Sequence, residues 1–377
     1  MTDIWDVIVI GAGPAGCAAA KRCAEKGRKT LLLERYELPR EKVCAGMLLS
    51  PASRALIQEE FGEVPQRICS SSPYIRGYVL HIPGTADRTI EMGRVPHAWR
   101  REFDYWLIQK ALQSGVDLWT NTRVSGIEET DGAYTLKVSQ HGAERNVKSK
   151  YVIGGDGAAS VTRKFCFPDA KLAYGPASRL CYRETALNWT ALNMDKEYFH
   201  PFFHPQHAPY RFSIEYYGDV FTLIYTKLGK SGEKWVLENG PLATQYRLLD
   251  IKEEPIWEDA CVELGSHKQI LFGTFFPAKD NVLLAGSAAG FMLPVTWEGI
   301  GPSLRSGFAA GDAVLKASAD GKQAELHYLA EIDGLLTIFK QAYSWGRRIR
   351  DATTQEPDRL ADTLVNCFEE LLFITRW

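Results

Sequence analysis

Residues 4–34 constrain the fold of this chain more than any other stretch. Residues 7–10 form a β-branched run, typical of a parallel strand buried on both faces, and a Gly-x-Gly-x-x-Gly motif follows at once. Gly11 allows a tight turn, Gly13 lets the backbone approach a pyrophosphate, and Gly16 lets the next helix pack closely on the strand. Because the amides and dipole at the start of a helix favour negative charge, this turn predicts a phosphate site.

A second strand completes the nucleotide-binding unit. Residues 30–33 read as this strand, and Glu34 stands at its end, about 20 residues beyond the glycines. A carboxylate at this place can accept hydrogen bonds from both ribose hydroxyls of an adenosine. The strand, glycines, helix, second strand and terminal Glu34 together predict a dinucleotide site.

The composition narrows the class of protein. The chain has 377 residues, 45% of them hydrophobic and 24% charged, so we expect one large domain or two interleaved domains. Its net charge of -2 gives no reason to expect nucleic acid as a partner. The eight cysteines include no Cys-x-x-Cys pair, which argues against zinc, iron–sulfur clusters and a dithiol motif. The sequence contains no signal peptide and no apolar run long enough to span a bilayer. Together with cysteines that are read as reduced thiols, these features favour a cytoplasmic location.

The middle of the chain has a different texture. Residues 74–92 alternate between apolar and polar positions, and with Gly77 and Pro83-Gly84 as breaks we read short strands there. Residues 166–279 alternate again and are rich in aromatic residues, which predicts a mostly antiparallel sheet inserted between parts of the nucleotide domain. The aromatic side chains are typical of a sheet core, and they also suit a pocket for a large apolar or planar substrate.

Between these stretches the nucleotide domain resumes. Residues 100–115 predict a helix, residues 116–124 one strand, and residues 127–153 a pair of hairpins. Residues 154–163 then form a second glycine-rich turn that leads into a helix.

Three histidines raise the question of a metal site. His200, His204 and His207 are close in sequence, but Pro201 and Pro205 prevent one helix from presenting them together. We therefore predict no metal.

The last third of the chain returns to the nucleotide domain and then becomes helical. Residues 281–301 read as a buried strand, a small-residue turn and a loop, and a helix begins at Pro302. Helical periodicity continues after residue 324. The final helix carries an apolar stripe, more typical of a docked core face than of a membrane anchor, at Leu360, Leu364, Cys367, Phe368, Leu371 and Leu372.

Three motifs in this order resemble the flavoprotein superfamily that contains p-hydroxybenzoate hydroxylase and the geranylgeranyl reductases. They are residues 11–34, the Asp156-Gly157 turn and residues 286–301. The closer likeness is to geranylgeranyl reductases, whose Lys-x-Cys-Gly, Arg-x-x-Phe-Asp-x-x-Leu and Pro-Phe-Thr-Gly-Glu-Gly-Ile motifs are matched by residues 42–45, 100–107 and 294–300. The resemblance covers residues 4–313 and implies an α/β fold, with a discontinuous Rossmann-like FAD-binding domain, an inserted mostly antiparallel sheet and a helical C-terminus.

This likeness also implies domain bounds and a site. The FAD-binding domain is expected at residues 1–72, 98–165 and 278–325, the substrate-binding domain at residues 73–97 and 166–277, and a C-terminal helical region at residues 326–377. FAD is implied as the cofactor, with contacts from Gly11, Gly13, Pro14, Ala15, Gly16, Glu34, Arg35, Cys44, Ala45, Arg100, Val124, Asp156, Gly157, Ser287, Gly290, Pro294, Gly299, Ile300 and Gly301. We expect Cys44, Trp297 and Glu298 to serve catalysis, with Cys44 facing the flavin ring. A small buried cysteine with no chemical role is the alternative for Cys44.

The chain departs from the family at three places. Ser287 stands where the family has an aspartate that binds the flavin ribityl chain, so a charge-assisted hydrogen bond becomes a neutral one. Trp297 replaces a glycine beside the flavin, where its indole either contacts the ring or packs against the substrate sheet. The family's Tyr-x-Trp-x-Phe-Pro segment is not recognisable, although residues 210–212 occupy a similar place, so the family's substrate does not carry over.

We interpret the chain as an FAD-dependent oxidoreductase. It would reduce, or in reverse dehydrogenate, a carbon–carbon double bond of a bulky apolar substrate such as an isoprenoid, by hydride transfer through flavin N5. An aromatic monooxygenase acting on an aromatic small molecule is one alternative, because fold does not fix function, and a protein that binds FAD or a lipid without turnover is another. NAD(P)H or a ferredoxin-like protein would donate electrons. Peripheral contact with a membrane and the oligomeric state stay open.

Overall fold

The computed structural model describes residues 4–48, 50–203, 211–226 and 253–373, and two β-sheets organise them. The strands of the first sheet are β1 (Ile4–Ile10), β2 (Thr30–Leu33), β5 (Asp117–Trp119), β6 (Thr122–Thr130), β7 (Ala133–Gln140), β8 (Ala143–Gly154), β14 (Ala278–Lys279) and β15 (Val282–Leu284). Strands β15, β8, β1, β2 and β5 run parallel in that order. The antiparallel strands β14, β6 and β7 extend this core, with β7 pairing with both β6 and β8.

The second sheet is mostly antiparallel, as the sequence predicts. Its strands are β3 (Cys69–Leu80), β4 (Arg88–Ala98), β9 (Ala173–Arg183), β10 (Tyr198–Phe203), β11 (Arg211–Tyr216), β12 (Val220–Thr226) and β13 (Trp257–Gly265). The order is β13-β9-β12-β11-β10-β3-β4, and β10 pairs with β3 in parallel. Since β3 and β4 precede the first sheet's β5 in sequence, the two sheets are interleaved along the chain. The residue bounds of the two domains stay predictions.

Helices cover the sheets and form the C-terminal region. They are α1 (Pro14–Glu25), α2 (Pro51–Phe61), α3 (Arg100–Gln113), α4 (Val161–Cys166), α5 (Trp189–Leu192), α6 (His267–Leu271), α7 (Ile300–Asp320), α8 (Ala324–Glu331), α9 (Asp333–Ala352) and α10 (Pro357–Leu372). Proline occupies the first turn of α1, α2 and α10, where its missing N–H breaks no helical hydrogen bond.

Small residues let α1 and α7 approach each other closely. A Cβ added at Gly307 of α7 would lie 2.3 Å from the carbonyl oxygen of Ala15 in α1. Gly16 also has no room for a side chain, because its Cβ would lie 1.8 Å from the carbonyl oxygen of Gly11. The start of α1 is therefore held against both the end of β1 and the side of α7.

Two strand predictions are corrected. Residues 74–92 were expected to form short strands broken at Gly77, but Gly77 lies inside the long strand β3, where a Cβ would meet the carbonyl oxygen of Ile90 at 1.9 Å. Residues 116–124 were expected to form one strand. The chain breaks there into β5 and β6 because Asn121 adopts a left-handed conformation with φ of 50°.

The C-terminal helix α10 is docked through its apolar stripe. Leu360, Leu364 and Phe368 pack with buried residues of β3 and β4, and Cys367, Leu371 and Leu372 are also buried. The prediction of a docked core face is therefore confirmed. Within the described parts of the chain, none of the helices combines the length and apolar character needed to cross a bilayer.

Candidate active site

Residues from both sheets border a cavity of about 730 Å³, a size typical of a ligand site. It brings together most of the residues predicted to contact a cofactor, which are Gly11, Gly13, Pro14, Ala15, Glu34, Arg35, Cys44, Ala45, Arg100, Val124, Asp156, Gly157, Ser287, Gly299 and Ile300. The residues predicted to serve catalysis, Cys44, Trp297 and Glu298, border the same cavity. Their chemical roles stay predictions.

Four predicted cofactor residues lie outside the cavity lining. Gly16 packs on Gly11, and Gly290 packs on Ser266, whose N–H donates to the Gly290 carbonyl oxygen at 3.1 Å. Pro294 belongs to the turn before Trp297 without reaching the cavity wall. Gly301 lies against the side chain of Ser53, which a Cβ at this position would meet at 1.8 Å.

The nucleotide end of the cavity has room for a ligand where the sequence predicts phosphates. A Cβ added at Gly13 would have Arg40 Nη2 as its only neighbour among the described residues, at 3.7 Å. At Gly157 an added Cβ would meet nothing described within 4 Å. Pro14 and Ala15 at the start of α1 line this space, and the first turn of a helix leaves backbone amides without partners inside the helix. These features fit the pyrophosphate of a dinucleotide.

An alternating row of charges runs from Glu34 along the cavity. Glu34 accepts hydrogen bonds from the backbone N–H of Ala12 at 3.0 Å and of Tyr36 at 3.1 Å. Arg40 lies between two carboxylates, with Nε 3.5 Å from Glu34 Oε2 and Nη1 3.3 Å from Asp104 Oδ2. Each carboxylate is thus neutralised in a buried setting, and Glu34 is fixed where the ribose prediction places it.

The row ends at Arg100, beside Cys44. Arg100 donates two hydrogen bonds to Asp104, from Nε at 2.8 Å and from Nη2 at 3.1 Å. Burial lowers the pKa of Arg100, but the neighbouring Asp104 and Cys44 raise it more, so Arg100 stays charged. The Cys44 sulfur also accepts a hydrogen bond from the backbone N–H of Gly46 at 3.4 Å.

The second sheet holds the segment that carries Cys44. Arg179 of β9 donates from Nη1 to the Cys44 carbonyl oxygen at 2.7 Å, and Tyr217 donates from its hydroxyl to the Ala45 carbonyl oxygen at 2.7 Å. His97 Nε2 lies 2.9 Å from the same Ala45 oxygen. Burial lowers the pKa of His97 to about 4, so the ring is neutral at pH 7 and donates through Nε2.

The Asp156 turn is tied to the turn that carries Ser287. Asp156 accepts hydrogen bonds from the Val161 N–H at 2.7 Å and from the Ser160 hydroxyl at 2.7 Å, and so fixes the start of α4. Arg163 of α4 donates from Nη1 to the carbonyl oxygen of Ala288 at 2.6 Å. Both turns therefore face the cavity as one unit.

Glu298 joins the loop after β15 to the start of α2. Its Oε1 accepts hydrogen bonds from the hydroxyls of Ser50, at 3.0 Å, and Ser53. Oε2 has no hydrogen-bond partner among the described residues, and the side chain borders the cavity while only 3% exposed. Burial raises the pKa of Glu298 above its usual 4.5, more than the hydrogen bonds lower it. Oε2 is thus a buried polar atom, without a hydrogen-bond partner among the described residues, on a residue that borders the cavity.

The loop before Glu298 has an unusual backbone. Val295 and Trp297 have φ of 71° and 59°, in the left-handed region that favours glycine. The Trp297 N–H donates to the Leu293 carbonyl oxygen at 3.1 Å, and the Leu293 N–H donates to the Glu298 carbonyl oxygen at 2.9 Å. This tight turn presents Trp297 to the cavity, and strain of this kind marks functional loops.

The sequence analysis did not predict several residues that line the cavity. Arg40 was absent from the prediction although it stands close to the matched Lys42 and Cys44. Tyr78, Phe199 and Phe368 form an apolar end of the cavity. Alternation along β3 and β10 predicts which face of the sheet Tyr78 and Phe199 occupy, but it does not predict that a ligand space lies there.

Of the three histidines discussed above, His200 is buried, and His204 and His207 lie outside the described residues. Within the described residues there is no group of three potential ligands that could hold a metal.

Comparison with known proteins shows what the chain is similar to. The FAD binding domain family matches residues 5–169. A digeranylgeranylglycerophospholipid reductase of Methanococcus vannielii is 26% identical over 340 residues, which cover 86% of this chain and 80% of that protein. The chain is similar to the geranylgeranyl reductase-like branch of the FAD-dependent oxidoreductases.

Solved structures agree on the fold of this oxidoreductase. A geranylgeranyl bacteriochlorophyll reductase-like protein of Thermoplasma acidophilum has a TM-score of 0.77 at 17% identity and covers 98% of this chain and 96% of its own. A flavin-dependent brominase has a TM-score of 0.75 at 16% identity, covering 98% and 93%. At these identities the likeness shows the fold alone. FAD is the cofactor of this oxidoreductase, and the open space at Gly13 and Gly157 fits it.

Proposed function

We propose that this oxidoreductase reduces a carbon–carbon double bond in the isoprenoid chain of a lipid. The observation that carries the proposal is that one cavity continues from the dinucleotide end at Gly13 to an apolar end at Tyr78, Phe199 and Phe368, with Cys44 among its lining residues. A long apolar chain fits such an end, because it removes hydrocarbon from water. The Methanococcus vannielii relative is a digeranylgeranylglycerophospholipid reductase, which supports the same substrate class.

The residues around Cys44 suit the delivery of a proton. When bound, FAD supplies hydride transfer to the substrate. Addition of hydrogen across a double bond needs a proton as well, and we assign it to the Cys44 thiol. Arg100 lies beside this sulfur and stays charged, so it can stabilise the thiolate that remains until solvent returns the proton. The hydrogen bonds from Arg179 and Tyr217 to the Cys44 and Ala45 carbonyl oxygens hold the backbone that carries the thiol.

Glu298 has a separate role in this proposal. Its contacts with Ser50 and Ser53 anchor the loop that borders the cavity, and its Oε2 is the polar atom that the loop offers to the flavin. Trp297 limits the space beside the flavin. The loop thus orients the ring, while Cys44 acts on the substrate.

A product analysis tests the activity. Holoenzyme is reduced with dithionite under nitrogen, which serves whether NAD(P)H or a ferredoxin-like protein is the natural donor, and is given a geranylgeranyl glycerolipid. Mass spectrometry should find products that have gained two hydrogens for each double bond reduced. Cys44→Ala should slow this gain strongly, while Cys69→Ala, a partly buried cysteine outside the cavity lining, should not. An unchanged lipid with fully reduced FAD would contradict the proposal.

We also propose that the enzyme takes its substrate from a membrane surface with anionic headgroups. Leu271, Phe272 and Phe276 are exposed by 38%, 59% and 53%, and the ring of Phe272 lies 5.8 Å from that of Tyr343 in α9. Exposed Lys340 and Arg347 flank Tyr343 by one turn on the same helix face. Exposed aromatic rings with neighbouring cations are typical of an interfacial membrane contact.

Vesicle sedimentation tests this surface. The double variant Phe272→Ser with Phe276→Ser should sediment less with phosphatidylglycerol vesicles than the wild type does. Leu326→Ser is the matched control, because Leu326 is also 59% exposed but lies on α8. Equal sedimentation of all three proteins would overturn the membrane proposal and leave the activity untouched.

A further inference from the structure

The apolar end of the cavity is closed by the last helix of the chain. Phe368 of α10 borders the cavity, and its side chain is only 1% exposed. Behind it, Leu364 and Leu372 of the same helix are buried in one cluster with residues of β3 and β4, and neither of them borders the cavity. The ring of Phe368 is therefore the boundary between the ligand space and the packed core.

Two other rings hold Phe368 in place. The ring of Tyr78 lies edge-on to it, with the centroids 5.3 Å apart and an angle of 67° between the planes. The ring of Phe203 lies 6.2 Å away at an angle of 87°. Edge-to-face contacts are favourable beyond the area that they bury, and a close-packed core leaves a large ring little room to turn. Phe368 is thus a rigid end wall.

The helix that carries Phe368 is itself held near both ends. Arg88 of β4 lies with Nη2 2.9 Å from Asp358 Oδ1 and with Nε 3.3 Å from Asp362 Oδ1, in the first half of α10. Near the end of α10, Glu370 accepts hydrogen bonds from Arg348 Nη1 of α9 at 2.8 and 2.9 Å. Since ion pairs at exposed positions contribute little stability, the buried apolar stripe holds the helix, and these contacts fix its register on the sheet.

The wall between Cys44 and Phe368 is short and continuous. Met47, three residues after Cys44, borders the cavity and is buried in the same cluster as Phe368. Ala45 packs against this cluster as well. The backbone of Met47 is fixed, because it forms an antiparallel bridge with His97 of β4. The Cys44 segment and the end wall thus belong to one packed unit, so an apolar chain that runs from one to the other has a fixed length available to it.

We propose that Phe368 is a specificity-determining residue that limits the length of the isoprenoid chain. The proposal rests on the proposed function and deepens it. The last isoprene unit of a bound geranylgeranyl chain, which has four such units, lies against the Phe368 ring. A fifth unit would have to displace a ring that the core holds, and forcing extra carbon atoms into a packed space is unfavourable. The last helix of the chain thus selects the substrate by its length.

A competition experiment tests this inference. Dithionite-reduced holoenzyme is given equal amounts of a geranylgeranyl and a geranylfarnesyl glycerolipid in the same detergent micelles, and mass spectrometry measures how much of each lipid has gained hydrogen. The ratio of the two products reports the ratio of the two kcat/KM values, whatever fraction of the protein is folded. The wild type should favour the geranylgeranyl lipid at least about tenfold, because one surplus methylene group in a fitted apolar pocket already has an effect of this size. Phe368→Ala should nearly abolish this preference, because loss of the ring leaves space for the fifth unit.

Two further variants keep the test decisive. Phe368→Leu removes less volume, so it should fold with the flavin content of the wild type and show an intermediate preference. Leu364→Ala is the matched control, because Leu364 lies one turn earlier on α10 in the same cluster, is also 1% exposed and does not border the cavity. This control should keep the preference of the wild type.

Three results would overturn the inference and leave the proposed function standing. They are an unchanged preference in both Phe368 variants, an equal loss of preference in Leu364→Ala, and a wild type that reduces the two lipids alike. Failure of the wild type to add hydrogen to either lipid would overturn the inference and the proposed function together.

Discussion

Arg179 donates a hydrogen bond to the carbonyl oxygen of Cys44, although 135 positions separate the two residues in sequence. The same guanidinium makes two hydrogen bonds to Asp259, so one cation joins β9 and β13 to the loop that carries the thiol. The second sheet thereby holds the backbone of the segment that carries Cys44. In the proposed reaction, the sheet that borders the substrate end of the cavity therefore also positions the segment that carries the Cys44 thiol.

Arg179→Met should lower the free energy of unfolding by about 3 kcal/mol, because it leaves Asp259 without its counter-charge in a largely buried place. Urea unfolding of the holoenzyme measures the change. Arg183→Met, at an exposed position of the same strand, should stay within about 0.5 kcal/mol of the wild type. Equal losses of unfolding free energy in the two variants would contradict a stabilising role for the contacts of Arg179 with Cys44 and Asp259.

Gly13→Val should abolish the bound FAD. The added side chain would project beside Arg40 into the space that fits the pyrophosphate. Absorbance near the flavin maximum of the purified protein reports the occupancy. Gly175→Val is a matched control, because a Cβ at that strand position meets nothing described within 4 Å. Full FAD content in Gly13→Val would contradict the assignment of the site.

How far the sequence could predict this site depends on how local each interaction is. Gly11, Gly13 and Glu34 are recognisable because the strand, turn and helix that use them fall within one short segment. The motif of residues 100–107 likewise contains both Arg100 and Asp104, whose four-residue spacing on α3 makes their ion pair. Both spacings can be read directly from the sequence.

The remaining parts of the site depend on contacts that no local pattern contains. Phe368 reaches the cavity from the last helix because α10 docks on β3 and β4, which its apolar stripe predicts only as a core contact. Glu215 follows the ordinary alternation of a strand, and only the position of the cavity shows that its face is not solvent. The strand break at Asn121 was missed for a related reason, since a left-handed asparagine leaves no clear mark in apolar periodicity.

Glu298→Gln should change the pH dependence of stability. Since burial raises the pKa of Glu298 in the folded state, its protonated form favours folding, and this contribution is lost as the pH rises from the usual 4.5 through the raised value. Glutamine keeps a neutral group at all pH values. As the pH rises through this range, the free energy of unfolding of Glu298→Gln should therefore increase relative to that of the wild type. Denaturant titrations at several pH values measure this difference. Glu59→Gln, an exposed change on α2, should run parallel to the wild type, and a parallel course for Glu298→Gln would contradict the account.

Trp297→Gly should raise flavin fluorescence if the indole lies against the ring and quenches it. Glycine adopts the left-handed conformation of this position without strain, a gain of about 1 kcal/mol that the greater freedom of the unfolded chain partly offsets, so the fold should survive. Trp297→Phe keeps an aromatic ring and should leave the fluorescence lower than Trp297→Gly does. Unaltered fluorescence and substrate range in Trp297→Gly would assign the indole to packing against the substrate sheet.

The most direct test of double-bond reduction is a single turnover followed in a stopped-flow instrument without oxygen. Reduced holoenzyme is mixed with a geranylgeranyl glycerolipid, and the flavin absorbance is recorded against a mixture that lacks the lipid. The account predicts that FAD becomes oxidised only when the lipid is present, with one double bond reduced for each flavin oxidised. A flavin that stays reduced under nitrogen, but forms a hydroxylated product once oxygen is admitted, would contradict it.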